Sequence, residues 1–207
     1  RRHSNAMNEL CMDLVGPISA ATGHDKHRTP VYIFVAIDPF THMVWLECLE
    51  AKGGRDVFRA FVNRILLEEG APRIIRCDNG TEFKNKMLND LCREMQTQMQ
   101  FSPAYWPQGN QCERLNRYIG EALRCMTNTK SGRKQDWFQY VKIVAFAYRS
   151  TPIKDTRLTP FEAAPGRPPR LVCDHPLLDA EFPAVASLVY LVKEVRRWVV
   201  LANAAFQ

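Results

Sequence analysis

The sequence predicts an α/β fold in which a mixed five-stranded sheet carries helices on both faces. Three short apolar runs rich in β-branched and aromatic residues come first. Segments with apolar residues spaced three and four apart then alternate with two more such runs. This order requires both antiparallel and parallel neighbours in one sheet. The 207 residues, 46% hydrophobic and 24% charged, are ample for one core of this kind.

Five segments are predicted as strands because each is apolar and ends at glycine, proline or a polar turn. They cover residues 8–15, 31–38, 43–50, 73–78 and 99–104. The second segment, VYIFVAID, is almost continuously apolar, which is typical of a strand covered on both faces. The short turn PFTH connects it to the third segment and predicts an antiparallel pair.

Helices are predicted where apolar residues recur at a spacing of three and four. The helical segments are 54–70, 81–98, 111–128 and 136–150, a short turn at the start of the proline-rich stretch 159–170, and 183–205. The helix at 136–150 is apolar almost all round, which predicts burial beneath the C-terminal segment or at a dimer interface. We divide the chain into a tag-like remnant (1–7), a core (8–170), and a linker with an amphipathic helix (171–207).

Charge and cysteine usage narrow the classes of function. A formal net charge of +6 favours a polyanionic partner, although a basic solvated surface gives the same balance. The seven cysteines are odd in number and form no C-x-x-C pair, which predicts reduced thiols in an intracellular protein, without disulfides or a zinc site. Charged residues interrupt every long apolar run, so no membrane span is expected.

Three carboxylates occupy positions that suggest a functional site. Burying an acid in or at the end of an apolar strand costs free energy, and an acid at the start of a helix is available for catalysis. Asp13 lies inside the apolar first strand, Asp78 ends the fourth strand, and Glu113 opens the third helix after the loop AYWPQGNQ. Each has an ordinary interpretation alone, as a turn residue or a first-turn helix acid. Together they would repel one another unless divalent cations neutralised them. Oxygen ligands suit Mg²⁺ or Mn²⁺, and two such ions about 3.5–4 Å apart catalyse phosphodiester chemistry.

The third helix also predicts a basic face. Glu113, Arg117 and Arg124 fall on one side of it, where a DNA backbone would lie naturally unless the face is merely solvated. Gln108, Asn110 and Asn116 are further candidate DNA contacts, or residues that order the loop.

Several strings resemble the catalytic core of retroviral and gypsy-type LTR-retrotransposon integrases. They are MDLVGP, VAIDPFTHMVWLECL, IIRCDNGTEF, YWPQGNQCERLNRYI and AYRSTPIKDTRLTPFEAAPGRPPR. The resemblance runs from about residue 8 to 170 and implies a ribonuclease-H-like fold. It also implies an Asp, Asp, Glu triad at Asp13, Asp78 and Glu113 that binds two Mg²⁺ or Mn²⁺ ions.

The implied activity is that of a metal-dependent polynucleotidyl transferase and endonuclease. Water attacks near the 3′ end of the element's DNA, and the freed 3′-hydroxyl then attacks target DNA. The resemblance implies DNA as a partner and a homodimer or higher homo-oligomer, with no membrane and no small-molecule cofactor. It also implies a nuclear or intracellular location. Two alternatives stay open: a domesticated relative that binds DNA or protein without catalysis, and a ribonuclease-H-like nuclease.

The sequence departs from the family pattern in two respects. No glycine separates Asn110 from Gln111, so the spacing from Asp78 to Glu113 is one residue shorter than the family's common spacing. Counterparts of the family's zinc-binding amino-terminal domain and DNA-binding carboxy-terminal domain are not recognisable in the sequence. We therefore expect a core fragment.

Overall fold

A mixed sheet lies at the centre of the molecule. The computed structural model describes residues 6–18, 30–102, 111–127, 137–153 and 156–164. Its strands are β1 Glu9–Val15, β2 Tyr32–Ile37, β3 Val44–Leu49, β4 Ile74–Cys77 and β5 Gln98–Phe101. They lie in the order β3-β2-β1-β4-β5, in which β3, β2 and β1 pair antiparallel while β1, β4 and β5 pair parallel. The predicted mixed five-stranded sheet and the antiparallel β2–β3 pair are confirmed.

Helices follow the third, fourth and fifth strands. They are α1 Gly54–Phe61, a π-helical stretch Val62–Leu66, α2 Leu67–Glu69, α3 Lys86–Glu94, α4 Gln111–Thr127, a 3-10 turn Trp137–Tyr140, α5 Val141–Arg149 and α6 Pro160–Ala163. The predicted helix at 54–70 is therefore present, but its middle part, Val62–Leu66, is a π-helix and not an α-helix. None of the helices in these ranges is long and apolar enough to cross a membrane.

The helices cover both faces of the sheet, as predicted. Along β1, Leu10 and Met12 point into a core that includes residues of α1 and α3, while Cys11 points into a core with α4 and α5. This alternation follows from the period of two in a strand. Phe34 and Val35 of β2 are both completely buried, one on each side, which explains why that strand is apolar throughout.

The second predicted helix begins later than expected. Residues 81–85 form a turn rather than helix, because the amides of Phe83 and Lys84 both donate to the carbonyl of Gly80. Asn85 then caps α3 by accepting a hydrogen bond from the Leu88 amide at 2.8 Å. An asparagine at the N-cap satisfies an otherwise unpaired amide, so the helix starts after it.

The fourth predicted helix is covered by the domain itself. It begins as the 3-10 turn, and Val141 and Val144 of α5 are buried among residues of β2, β3 and α4. The sheet and α4 supply the cover that its apolar pattern required. The C-terminal segment 171–207, to which that cover was assigned as one possibility, lies outside the described residues.

Candidate active site where β1 and β4 end

The sheet register puts two of the three predicted acids side by side. In the parallel β1–β4 pair, Cys11 lies opposite Arg76. Asp13 and Asp78 each follow these residues by two positions, so they fall at the same level of adjacent chain segments. Neighbouring strands are about 4.8 Å apart. Topology thus joins two acids that are remote in sequence.

Asp13 is held by a hydrogen bond on each carboxylate oxygen. Its Oδ1 accepts from the Leu14 amide and its Oδ2 from the Nδ2 of Asn116, both at 2.8 Å. Burial raises the pKa of Asp13, the two hydrogen bonds oppose that rise, and the carboxylates of Asp78 and Glu82 add to it. Burial is the main cause of this rise and the two neighbouring carboxylates are minor ones, so a cation bound here would favour the ionised form of Asp13.

Asp78 is exposed and begins a tight turn. Its Oδ1 accepts a hydrogen bond from the Gly80 amide at 2.9 Å, which is the turn-forming role considered for Asp-Asn-Gly. The Nδ2 of Asn79 donates to the carbonyl of Ser102 at 2.9 Å and so ties this turn to the residue that follows β5. The turn conformation and a role in chemistry are compatible, because the second carboxylate oxygen takes no part in the turn.

Glu82 is a fourth acid near this point, and it was not among the site residues predicted from the sequence. Its side chain is only 3% exposed, and its Oε1 lies 3.1 Å from the Nζ of Lys52. Its Oε2 is buried without a hydrogen-bond partner in the described structure. The charge of Glu82 acts on Asp13. One feature of the sequence could have indicated Glu82. It lies two residues after Gly80, and this spacing lets its carboxylate fold back over the turn.

Helix α4 presents the two faces that its sequence predicts. Glu113, Arg117 and Arg124 are exposed, whereas Leu115 and Ile119 are buried against the sheet. The Nε of Arg124 donates to the carbonyl of Gly120 at 3.1 Å, so this guanidinium lies along its own helix.

The other predicted contacts on or before α4 divide into two groups. Asn116, predicted as a DNA contact or a loop-ordering residue, is bonded to Asp13 and so links α4 to β1. Gln108 and Asn110 lie outside the described residues, as does Trp106.

The donor set at this point suits a hard cation. Carboxylate and amide oxygens are the ligands that Mg²⁺ and Mn²⁺ prefer. Besides the Oε2 of Glu82, the Oδ1 of Asn116 is buried without a hydrogen-bond partner. Over the described ranges, no three His, Cys, Asp or Glu side chains lie close enough together to hold a metal ion. A joint site formed by Asp13, Asp78 and Glu113 stays a prediction. The six cysteines in these ranges are all free thiols, as expected.

Known proteins resemble this chain in sequence. The sequence model of the integrase core domain family matches residues 3–107. The Tf2-3 and Tf2-4 transposon polyproteins of Schizosaccharomyces pombe are each 27% identical to it over 155 residues. Each alignment covers 74% of this chain and 11% of the polyprotein, so the chain spans about a tenth of the length of these relatives.

Solved structures resemble it in fold. The HTLV-2 integrase catalytic core domain in complex with magnesium matches with a TM-score of 0.57 and 14% identity, over 76% of this chain and 95% of that one. A second match is a chain of the simian T-cell lymphotropic virus intasome in complex with the PP2A regulatory subunit B56 gamma. It has a TM-score of 0.66 and 15% identity, and the match covers 83% of this chain and 58% of that one. These likenesses confirm the ribonuclease-H-like fold. Because the family's sequence model covers half of the chain, the protein belongs to the integrase core domain family.

Proposed function

We propose that this chain is an integrase catalytic core that transfers phosphoryl groups on DNA with the help of Mg²⁺ or Mn²⁺. The observation that carries the proposal is the proximity of Asp13 and Asp78: each lies two residues after the Cys11–Arg76 pair of the parallel strands, and the charge of Asp78 contributes to the raised pKa of Asp13. Asn116 reaches this point from α4 and hydrogen-bonds to Asp13. Family membership and the magnesium complex of the HTLV-2 core support it.

In the proposed mechanism, Asp13, Asp78 and Glu113 are the residues that would hold the metal. When bound, the metal supplies Lewis-acid activation of an attacking water or 3′-hydroxyl and stabilises charge on the leaving oxygen. Asn116 orients Asp13, because its amide fixes one carboxylate oxygen and leaves the lone pairs directed away from that bond available. The Leu14 amide restrains the other oxygen in the same way.

Arg117 and Arg124 have a separate part in the proposal. Both are exposed on the face of α4 that also carries Glu113. Arginine binds phosphate through a fork of donors and gives affinity without reading sequence. These residues would thus hold the DNA backbone while the carboxylates act on one phosphodiester. A net charge of +6 favours the same partner.

A second copy of the chain is part of the proposal. The HTLV-2 core is recorded in dimeric and trimeric forms, and a simian T-cell lymphotropic virus relative is recorded in an intasome. Integration joins two DNA ends to one target, so two active sites must be held together. Sedimentation of the chain with and without DNA tests this directly.

The decisive experiment is a strand-transfer and disintegration assay in Mn²⁺, with wild type compared with Glu113→Gln. The substitution keeps the size of the exposed side chain and removes its charge, so it preserves the fold. We expect a loss of more than about a hundredfold, larger than the effect of removing a residue that only supports a ligand. Equal activity of the two proteins would refute the triad. A folded wild type that binds DNA but shows no metal-dependent activity would favour the domesticated, non-catalytic alternative.

A further inference from the structure

An ion pair beside the carboxylates has no part in the mechanism above. Lys52 follows β3, and Glu82 belongs to the turn after Asp78. Their charged atoms are 3.1 Å apart, although the two side chains are unlike in environment. Glu82 is 3% exposed and Lys52 is 51% exposed. The pair therefore runs from the interior to the surface.

Resting on the proposed function, we infer that Glu82 is a positioning residue that holds the Lys52 ammonium at the rim of the active site, where it binds a DNA phosphate. Glu82 uses one carboxylate oxygen for this contact. An ammonium group has three donors, so Lys52 keeps two for another partner. Its exposure leaves those donors accessible to a large ligand.

The burial of Glu82 is the first reason for this assignment. A carboxylate removed from water is costly unless a cation or hydrogen bonds compensate it. Lys52 is the cation paired with Glu82, and Oε2 has no hydrogen-bond partner in the described structure. The carboxylate is thus held in the interior and the lysine is directed outward.

The shape of the turn is the second reason. A Cβ atom at Gly80 would lie 2.6 Å from the Cδ and Oε1 atoms of Glu82, so glycine leaves the space that this carboxylate fills. The Nδ2 of Asn85 donates to the carbonyl of Glu82 at 2.7 Å and fixes the backbone there. Both neighbours hold the glutamate in one position, which in turn gives Lys52 a fixed anchor.

The location of Lys52 is the third reason. Hydrogen bonding to Glu82 and the charge of Glu82 raise the pKa of Lys52, and the charge of Asp78 adds to that rise. Lys52 therefore lies close enough to Asp78 for the charge of that carboxylate to act on it. DNA that reaches Asp78 brings its phosphates toward an ammonium already in place, and preorganisation lowers the entropy lost on binding.

The test is DNA binding by the full chain in Ca²⁺, measured by fluorescence anisotropy from 0.05 to 0.3 M salt. The probe is a branched oligonucleotide that mimics the strand-transfer product. Loss of one phosphate contact makes the slope of log K against log salt shallower by about 0.9, equivalent to about eightfold weaker binding near 0.1 M. We expect this for Lys52→Gln. The matched control is Arg93→Gln, which removes an exposed cation of α3 that is paired with Asp90. Its slope should equal that of wild type.

The Glu82→Gln variant distinguishes two roles of Glu82: positioning Lys52, and repelling DNA phosphates through its own negative charge. Removing a negative charge near DNA should tighten binding if Glu82 only repels phosphate. If it positions Lys52, binding instead weakens by about two- to tenfold, the cost of ordering a free lysine. That weakening must disappear in the Lys52→Gln background, since the two residues then act as one unit. Tighter binding by Glu82→Gln, or equal weakening in both backgrounds, would overturn the inference.

Further outcomes distinguish failure of the inference from failure of the proposed function. If Glu82→Gln raises the Mn²⁺ requirement for disintegration while Lys52→Gln does not, Glu82 is a metal ligand and the inference fails. If Glu82→Gln does not fold, the slope of the exposed Lys52→Gln variant decides alone. An active wild type with an unchanged Lys52→Gln slope refutes the inference but leaves the proposed function intact. A wild type that binds no DNA refutes both.

Discussion

Replacing Asn116 with leucine tests how the protein supports its proposed catalytic acid. The substitution keeps a side chain of similar size and removes the amide that donates to the Oδ2 of Asp13 at 2.8 Å. Asp13 then keeps its hydrogen bond from the Leu14 amide and loses its partner on α4. We expect the Asp13 carboxylate to be less well oriented for metal.

The size of the effect follows from this one bond. A hydrogen bond to a charged group contributes about 1.5–3 kcal/mol. At about 1.4 kcal/mol for each factor of ten, its loss corresponds to roughly a ten- to hundredfold change. Residues that support metal ligands give the same range when they are replaced. We therefore expect the Asn116→Leu variant to lose about ten- to hundredfold in disintegration rate at limiting Mn²⁺.

The assay is the rate of disintegration against Mn²⁺ concentration at fixed DNA. A matched control is Asn89→Leu, the same substitution at an exposed position of α3. Urea unfolding of both variants shows whether either fold is damaged. If Asn116→Leu folds normally and shows the wild-type Mn²⁺ dependence, the hydrogen bond to Asp13 has no role in the chemistry and this reasoning is wrong.

Three other variants or treatments follow from the structure. Gly80→Ala puts a Cβ against the buried Glu82 carboxylate, so we expect a loss of about 1–3 kcal/mol in the free energy of unfolding. Urea denaturation measures it, and no loss would show that the glutamate moves freely. Asn85→Ala removes the cap of α3 and should cost about 1 kcal/mol by the same method, whereas Asn85→Asp should keep most of the stability. Burial raises the pKa of both Cys125 and Cys112, but Cys125 is partly exposed and Cys112 is not. Alkylation at pH 8 followed by mass spectrometry should therefore modify Cys125 first, about tenfold faster for each unit of pH increase, and equal rates in the native state would contradict the burial.

The sheet and the acid in it could be predicted because burial leaves a strong pattern in the sequence. β2 is buried on both faces and reads as one apolar run. Against such a background a carboxylate in β1 stands out, and Asp13 was found for that reason. The order of elements also predicted a mixed sheet, whereas the parallel β1–β4 pair is known only from the structure. These inferences need only local patterns and general rules of topology.

The start of α3 was misjudged because spacing reports burial rather than backbone conformation. Phe83 and Met87 are four residues apart, which suggested one helical face. Phe83 is completely buried, yet it sits in a turn, and Met87 on the helix is half-exposed. Hydrogen bonds to the Gly80 carbonyl and to the side chain of Asn85 instead determine the backbone conformation before α3.

The supporting pairs were beyond sequence reasoning altogether. Asn116 and Asp13 are 103 residues apart, and only the docking of α4 on the sheet brings them together. Asn116 was predicted as a DNA contact or loop-ordering residue because an asparagine near a catalytic helix start has several plausible uses. Lys52 and Glu82 likewise belong to segments that meet only in the folded chain.

The hydrogen bond from Asn116 to Asp13 also bears on the position of Glu113. Glu113 lies three residues before Asn116 on α4, so the two occupy neighbouring positions of one helical face. Two contacts fix the rotation of that helix about its axis: the hydrogen bond from Asn116 to Asp13 of β1, and the packing of Leu115 in the core. The part of the helix from which Glu113 extends is therefore held in place by the contacts of α4 with the sheet.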